Sequence, residues 1–197
     1  FPYTTLFRSR LEDDVDPVSI APLLCAGIIG YRALERAALP AGGRLGIYGF
    51  GSSAHITSQL AMSAGAEVFV MTRGESNQAL ARQLRVSFVG GEADAPPAPL
   101  DSAIIFAPAG NLVPVALAAA TAGGTVVLAG IHMSDIPSMS FEATLFHERD
   151  LRTVTSNTRA DGISFLRLAR ALSVRPEVTT YPFERAGDGV NDLRAGN

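Results

Sequence analysis

The sequence predicts an α/β fold built on a doubly wound parallel sheet. Three observations predict it. Apolar, β-branched runs of strand length alternate with helix-like segments from residue 44 onward. Those runs are continuously apolar, as in strands buried on both faces. Helical segments long enough to cross over stand between them, which makes the strands parallel and the crossovers right-handed.

The elements follow in order. Residues 17–39 read as one helix, with Pro17 and Pro22 near its start and Leu23, Leu24, Ile28, Leu34 and Leu39 on its apolar face. The run from Pro40 to Gly43 breaks it. Residues 44–49 form a short apolar strand, 53–64 a helix that Gly65 closes, and 67–72 a second strand. A helix over 76–84, with Ser76 as its N-cap, leads to a short strand over 86–89. Three prolines make 90–100 a surface loop. A strand over 102–106 precedes an Ala-rich helix over 111–121 capped by Asn111. Gly123 and Gly124 end that helix before a strand over 125–129. Residues 131–148 have little periodicity. A strand over 151–155, a helix over 161–172, a strand over 178–181 and a weak helix interrupted by Gly187 and Gly189 complete the chain.

Bulk properties bound the function. The 197 residues suit one sizeable domain, with 47% hydrophobic and 18% charged residues. A net charge of -3 gives no general affinity for nucleic acid or an acidic membrane surface. No apolar run reaches membrane-spanning length. The single cysteine, Cys25, excludes an intramolecular disulfide and fits a cytoplasmic location. The opening nine residues lack an initiator Met and a signal-peptide pattern and look like a translated sequencing adapter, so residues 1–10 are read as non-native.

The stretch Gly49-Phe50-Gly51-Ser52-Ser53-Ala54 lies between the first strand and its helix. This is G-x-G-x-x-A, the Rossmann dinucleotide fingerprint with Ala in the third position. Gly49 makes the tight turn, Gly51 lets backbone approach a pyrophosphate, and Ala54 keeps helix and strand close. Ser52 and Ser53 add hydroxyl donors beside the helix N-terminus. The alternative is a glycine-rich turn with no ligand. At the tip of the second strand stand Thr72 and Arg73, where an acid would bind the ribose of NAD. Arg73 as a fork for a 2′-phosphate, with Thr72 donating, points to NADP. The other reading makes Arg73 a solvated charge and gives the ribose to Glu75.

Further segments add a family resemblance: the run from Ala21 through Cys25 to Gly27 with Tyr31, the fingerprint run through Gln59 with Gly65 to Glu67, and Gly123 to Gly130. With them, the chain from about residue 11 onward resembles the zinc-containing alcohol dehydrogenases of the medium-chain dehydrogenase/reductase superfamily. Residues 128–134 and His147-Glu148-Arg149 are similar to segments of a bacterial subgroup. The resemblance implies that Cys25 is the last catalytic zinc ligand. It implies that Ser53 lies near the nicotinamide and Thr72 and Arg73 at the adenosine ribose. Ala107 and Pro108, then Gly130, Ile131 and His132, fall on strand-end loops along the cofactor. It further implies that a GroES-like catalytic domain with the other two zinc ligands is missing, so that the Rossmann-type fold is part of a larger enzyme. Residues 11–40 then form a linking helix, 41–175 the NAD(P)-binding domain, and 176–197 a segment returning to the catalytic domain. Ile29 stands where many members have a Thr.

The resemblance implies an oxidoreductase passing hydride between NADP or NAD and an alcohol/aldehyde pair with zinc, a homo-oligomer (dimer or tetramer) when intact and inactive as this chain alone. Residues 131–148 form either a dimer edge or an internal loop. Two other readings stay open: a zinc-free quinone or enone reductase, and a non-catalytic dinucleotide-sensing module. Cys25 has a plainer reading as a buried, inert small hydrophobe. His55 reads as a packing residue, His132 as a cofactor contact or a loop residue, and His147 as structural.

Overall fold

Alternate side chains of each strand point to opposite faces of the sheet, and both faces are covered. The computed structural model describes residues 11 and 15–195, so the reading of residues 1–10 lies outside the described residues. Six strands, β1 (Arg44–Tyr48), β2 (Glu67–Met71), β3 (Phe88–Gly90), β4 (Leu100–Ile105), β5 (Ala120–Leu128) and β6 (Asp150–Thr153), pair in parallel. Their order is β3-β2-β1-β4-β5-β6. That is the doubly wound order, with its reversal between β1 and β4. The helices are α1 (Pro17–Ile20), α2 (Ala26–Ala37), α3 (Ser52–Ser63), α4 (Glu75–Gln83), α5 (Leu112–Ala119), α6 (Phe141–Thr144), α7 (Arg159–Ala171) and α8 (Ala186–Ala195).

Period two sorts the strand residues into two cores. Leu45, Ile47, Val68, Val70 and Ile104 meet Ala33 and Ala37 of α2, Ala54 and Ala61 of α3 and Ala81 of α4. Tyr48, Phe69, Met71, Ala103 and Ile105 meet Leu112, Val113, Ala116 and Leu117 of α5 on the opposite face. A third cluster joins Phe165 and Ala169 of α7 to Ile28, Ile56 and Leu60 of α2 and α3. Close helix packing depends on Gly27 and Gly30. A Cβ on Gly27 would lie 2.5 Å from the Phe165 ring, and one on Gly30 would strike the Thr57 hydroxyl.

Gly65 does close α3. It adopts φ 85°, its N–H reaches the Met62 carbonyl at 2.9 Å, and the Ala66 N–H reaches Ala61 at 3.0 Å. This is a Schellman motif. Other expectations are corrected. Residues 17–39 are not one helix: a 3₁₀ turn, Ala21–Leu24, follows α1, and the run Pro17–Leu24 is bent by 44° from α2. Pro22 has no N–H to continue the α ladder, and Cys25 leaves helical geometry at φ -123°, ψ -73°. Gly74, at φ 84°, is the N-cap of α4, so Ser76 lies inside the helix. Asn111 precedes α5 without a side-chain cap bond. β5 begins at Ala120, with a register shift opposite residues 100–102, and so takes in Gly123 and Gly124. Residues 178–181 form no strand; they lie between Pro176 and Pro182 and find no strand to pair with among the described residues. No single helix among the described residues is long and apolar enough to cross a membrane.

Tyr48 closes β1 with its hydroxyl buried and without a partner among the described residues. Burial pushes its phenol up to about 12. An unmet buried hydroxyl costs about 1–3 kcal/mol. Tyr48→Phe is therefore expected to leave stability unchanged or raise it by about 1 kcal/mol in urea unfolding. A loss of that size would show that the hydroxyl has a stabilising partner.

Candidate dinucleotide site

The site is built where four strands end. Gly49 follows β1 at φ 85°, and its N–H bonds the Met71 carbonyl at 2.9 Å. A Cβ there would lie 2.8 Å from both the Cβ and the N of Ala107. Glycine at this position is thus demanded twice, by left-handed backbone and by the β4 chain alongside. Phe50 turns inward and is buried. Its N–H donates to the Thr72 hydroxyl at 3.2 Å.

Gly51 is different. It is the N-cap of α3 at φ -110°, ψ -155°, a conformation any residue adopts. A Cβ added to it would meet nothing within 4 Å. The protein's own packing therefore makes no demand for glycine here. Gly51 gives α3 no side-chain cap, which leaves the first-turn N–H groups of Ser52, Ser53 and Ala54 without a capping acceptor. Ser52 is exposed, Ser53 half-buried, and Ala54 fully buried against the sheet. Bare amides and the positive end of the helix dipole make this rim fit a phosphate group.

The neighbouring strand ends are tied to the same rim. The N–H groups of Phe106 and Ala107 both donate to the Tyr48 carbonyl, at 2.9 and 3.1 Å. The Ser134 N–H donates to the Pro108 carbonyl at 3.3 Å, and the Gly110 N–H to the Ser134 hydroxyl at 2.9 Å. A Cβ on Gly130 would lie 3.0 Å from the Ala107 carbonyl oxygen. The residues 107–108 and 130–132 thus share one ledge. On it Ile131 is 76% exposed, and His132 is exposed in left-handed backbone at φ 57°.

At the tip of β2 the two sequence candidates divide their tasks. Thr72 is buried, accepts from Phe50 and reaches the Arg73 carbonyl at 3.3 Å. Both contacts of its hydroxyl are to backbone, and they tie the fingerprint loop to the tip of β2. Arg73 is exposed, and its guanidinium has no partner among the described residues. Cys25 is also exposed, at the start of α2, which removes its reading as a buried hydrophobe. Among the described residues no group of three His, Cys, Asp or Glu is placed to hold a metal. Cys25 is therefore one potential ligand and does not make a zinc site alone.

Two arrangements escaped sequence reading. His55 is buried, with Nδ1 3.4 Å from the Gly51 carbonyl, while Nε2 accepts from the Glu177 N–H at 3.1 Å. One turn on, the Gln59 side chain accepts from the Arg175 N–H at 3.0 Å and donates to its carbonyl at 2.9 Å. The pair clamps residues 175–177 to the phosphate helix. Its one sequence signal is a polar pair at i, i+4 in an otherwise buried stripe. Arg149 of the His-Glu-Arg segment donates to four carbonyls, those of Ala120, Thr121, Ala143 and Thr144. It locks the start of β5 to α6. His147 contributes its carbonyl, which accepts from Gly123 at 2.9 Å.

No family model matches the chain. Over 190 residues, 96% of its length, it is 50% identical to a probable alcohol dehydrogenase, AdhA, of Mycobacterium tuberculosis (strain CDC 1551 / Oshkosh), covering 55% of that protein. The chain is a homologue of the alcohol dehydrogenases. An alcohol dehydrogenase of Geobacillus stearothermophilus is 28% identical over 198 residues, which cover 96% of this chain and 58% of the relative. The chain thus spans little more than half the length of these relatives. Solved structures share the fold. Acetophenone reductase from Geotrichum candidum NBRC 4597, in complex with NAD, superposes with a TM-score of 0.84 at 21% identity, over 96% of this chain and 56% of that one. A CAD from Helicobacter pylori complexed with NADP(H) gives 0.82 at 21%, over 94% and 54%.

Burial pushes the His55 imidazole down from its ordinary 6.5, against the Gly51 and Ser52 backbone and Glu177, which push it up. The unfolded chain takes up this proton before the folded one does. The neutral ring's contribution to stability is therefore complete above about pH 6.5 and is lost as pH falls from there through the folded value. Urea midpoints measured from about pH 7.5 to about pH 5.5 are expected to fall more steeply for the wild type than for His55→Gln. Equal slopes would remove His55 as the cause.

Proposed function

We propose that this chain is the dinucleotide-binding portion of a zinc-dependent alcohol dehydrogenase, which transfers hydride between NADP(H) and an alcohol/aldehyde pair, with NAD(H) as the second choice. The observation that carries the reading is Gly51, a glycine that the fold does not require, at the mouth of an uncapped helix. A dinucleotide pyrophosphate explains it, because a side chain there would occupy the space of the phosphate. The NAD and NADP(H) carried by the two structural neighbours agree in class. Arg73, exposed and unpaired among the described residues, supports the 2′-phosphate of NADP. Thr72 serves by holding the loop. Ser52, Ser53 and Ala54 would present amides to the pyrophosphate, and residues 107–108 and 130–132 would line the nicotinamide side.

The zinc assignment rests on Cys25 alone within the described residues. An exposed thiol at the head of α2 suits a ligand completed by groups from elsewhere in a longer protein, and a zinc-free quinone reductase would need no thiol there. The reading includes a homo-oligomer and a cytoplasmic location. Exposed Phe141 and Phe146, a few residues before edge strand β6, support self-association.

Titration of the purified chain with NADPH and NADH, followed by nicotinamide fluorescence, tests the cofactor. NADPH is expected to bind more tightly, with Arg73→Ala costing about tenfold for NADPH and little for NADH. Gly51→Val is expected to weaken both by at least about tenfold while thermal stability changes by less than about 1 kcal/mol. Unchanged binding in Gly51→Val would remove the pyrophosphate reading. Equal wild-type affinities would leave the fold and remove the NADP preference.

Equilibrium dialysis tests the metal. This chain alone is expected to retain well under one zinc per molecule and to show negligible alcohol turnover. Stoichiometric zinc at low-micromolar affinity would show a complete ligand set in the chain.

A further inference from the structure

The loops that follow β4 and β5 are tied together at two places. Close to the strands, Gly130 stands against Ala107, where a Cβ would lie 3.0 Å from the carbonyl oxygen. Later in both loops, the Gly110 N–H donates to the Ser134 hydroxyl at 2.9 Å, and the Ser134 N–H donates to the Pro108 carbonyl at 3.3 Å. Gly110 is buried, and a Cβ on it would overlap the carbonyl oxygens of Ser134 and Asp135. Its backbone is not left-handed, so it is the neighbouring loop that demands glycine here.

Between the two ties lie residues 131–133. Met133 is partly buried and packs on the α5-side core, while Ile131 and His132 are exposed. His132 has φ 57°. The other non-glycine residues with positive φ among the described residues follow helices. Ala38, Arg85 and Ser173 close α2, α4 and α7, and Glu148 ends the turn after α6. His132 follows a strand, so no helix end accounts for its backbone. Such a conformation persists where the surrounding structure fixes it, and here the two ties and the buried Met133 do so.

The strand order reverses between β1 and β4. A dinucleotide lying across that reversal would set its adenosine half on the β2 side, where Arg73 stands, and its nicotinamide half on the β4 and β5 side. Building on the dinucleotide reading above, we propose that Ser134 is a positioning residue for the nicotinamide end. Its hydroxyl holds the buried Gly110 N–H and thereby fixes residues 131–133 in the shape that receives the nicotinamide. It acts through the loop, touches no reacting atom and contributes nothing to the adenosine half. Removing the hydroxyl leaves a buried N–H without its acceptor and frees the outer tie.

Calorimetric titration of the whole chain with NADPH, and separately with 2′-phospho-ADP-ribose, tests it. The second ligand is NADPH without its nicotinamide. The wild type is expected to bind both, NADPH the more tightly. Ser134→Ala is expected to weaken NADPH about tenfold and to leave 2′-phospho-ADP-ribose within about twofold. Ser134→Thr keeps a hydroxyl at an exposed position and is expected to hold NADPH within about threefold of the wild type. Equal losses for both ligands in Ser134→Ala would reduce Ser134 to general support of the domain and overturn the proposal. Unchanged NADPH binding in Ser134→Ala, or a loss that Ser134→Thr shares, would overturn it as well. A wild type that binds NADPH no more tightly than 2′-phospho-ADP-ribose would overturn it and leave the pyrophosphate reading standing. Binding of neither ligand would remove the dinucleotide reading and this proposal with it.

Discussion

β1 is hydrogen-bonded on both edges, to β2 and β4, and its chain must turn into α3 without leaving the space between them. At Gly49 the β4 chain stands so close that even a methyl group would lie 2.8 Å from Ala107. Much of the carboxyl rim depends on that approach. The Tyr48 carbonyl takes two N–H groups from the start of the post-β4 loop because β1 and β4 stay adjacent to their ends. The post-β5 loop rests on the same Ala107, through Gly130. A bulkier residue at Gly49 would push β4 away and loosen ledge and fingerprint together.

The sheet imposes a second constraint. Each central strand must supply two apolar faces at once, so its sequence is a continuous apolar run, and the helices on either side are left to vary. The α2–α3 side meets this with small residues, Ala33, Ala37, Ala54 and Ala61, which bring helix axes close. The α5 side meets it with larger ones, Leu112, Val113 and Leu117. Close packing on the first side also lets α7 form a further layer, with Phe165 seated over Gly27.

Much of this was legible in the sequence, for identifiable reasons. Continuous apolar runs and the placed fingerprint gave the parallel sheet and the rim, because both follow from short-range chemistry. Gly65 was legible as a cap because left-handed backbone strongly favours glycine. The break at residues 21–25 was not, since Pro22 near a helix start reads equally as an N-terminal residue. The start of β5 was hidden because Gly123 and Gly124 read as a stop, whereas a register shift absorbs them in the strand. The apparent strand at 178–181 has β-branched residues and no partner among the described residues, and pairing cannot be read from one segment. The His55–Gln59 clamp joins residues 116 or more positions apart, and no local pattern encodes it.

The second strand tip shows how burial redistributes roles that sequence assigns together. Thr72 and Arg73 are adjacent, and both carry donors suited to a phosphate. Strand geometry sends them different ways: Thr72 inward, almost fully buried, and Arg73 outward into solvent. Once inward, the Thr72 hydroxyl meets the Phe50 N–H, which the fingerprint turn would otherwise leave unmet. On the proposed cofactor reading, discrimination between a ribose hydroxyl and a ribose phosphate at this tip would fall to Arg73 and to Glu75, the first residue of α4. Their charges are opposite, so each favours a different cofactor. A phosphate at Arg73 would gain a fork and meet the repulsion of Glu75, while a hydroxyl would gain Glu75 as an acceptor and leave Arg73 in water. Between them Gly74, at φ 84°, makes the turn from β2 into α4.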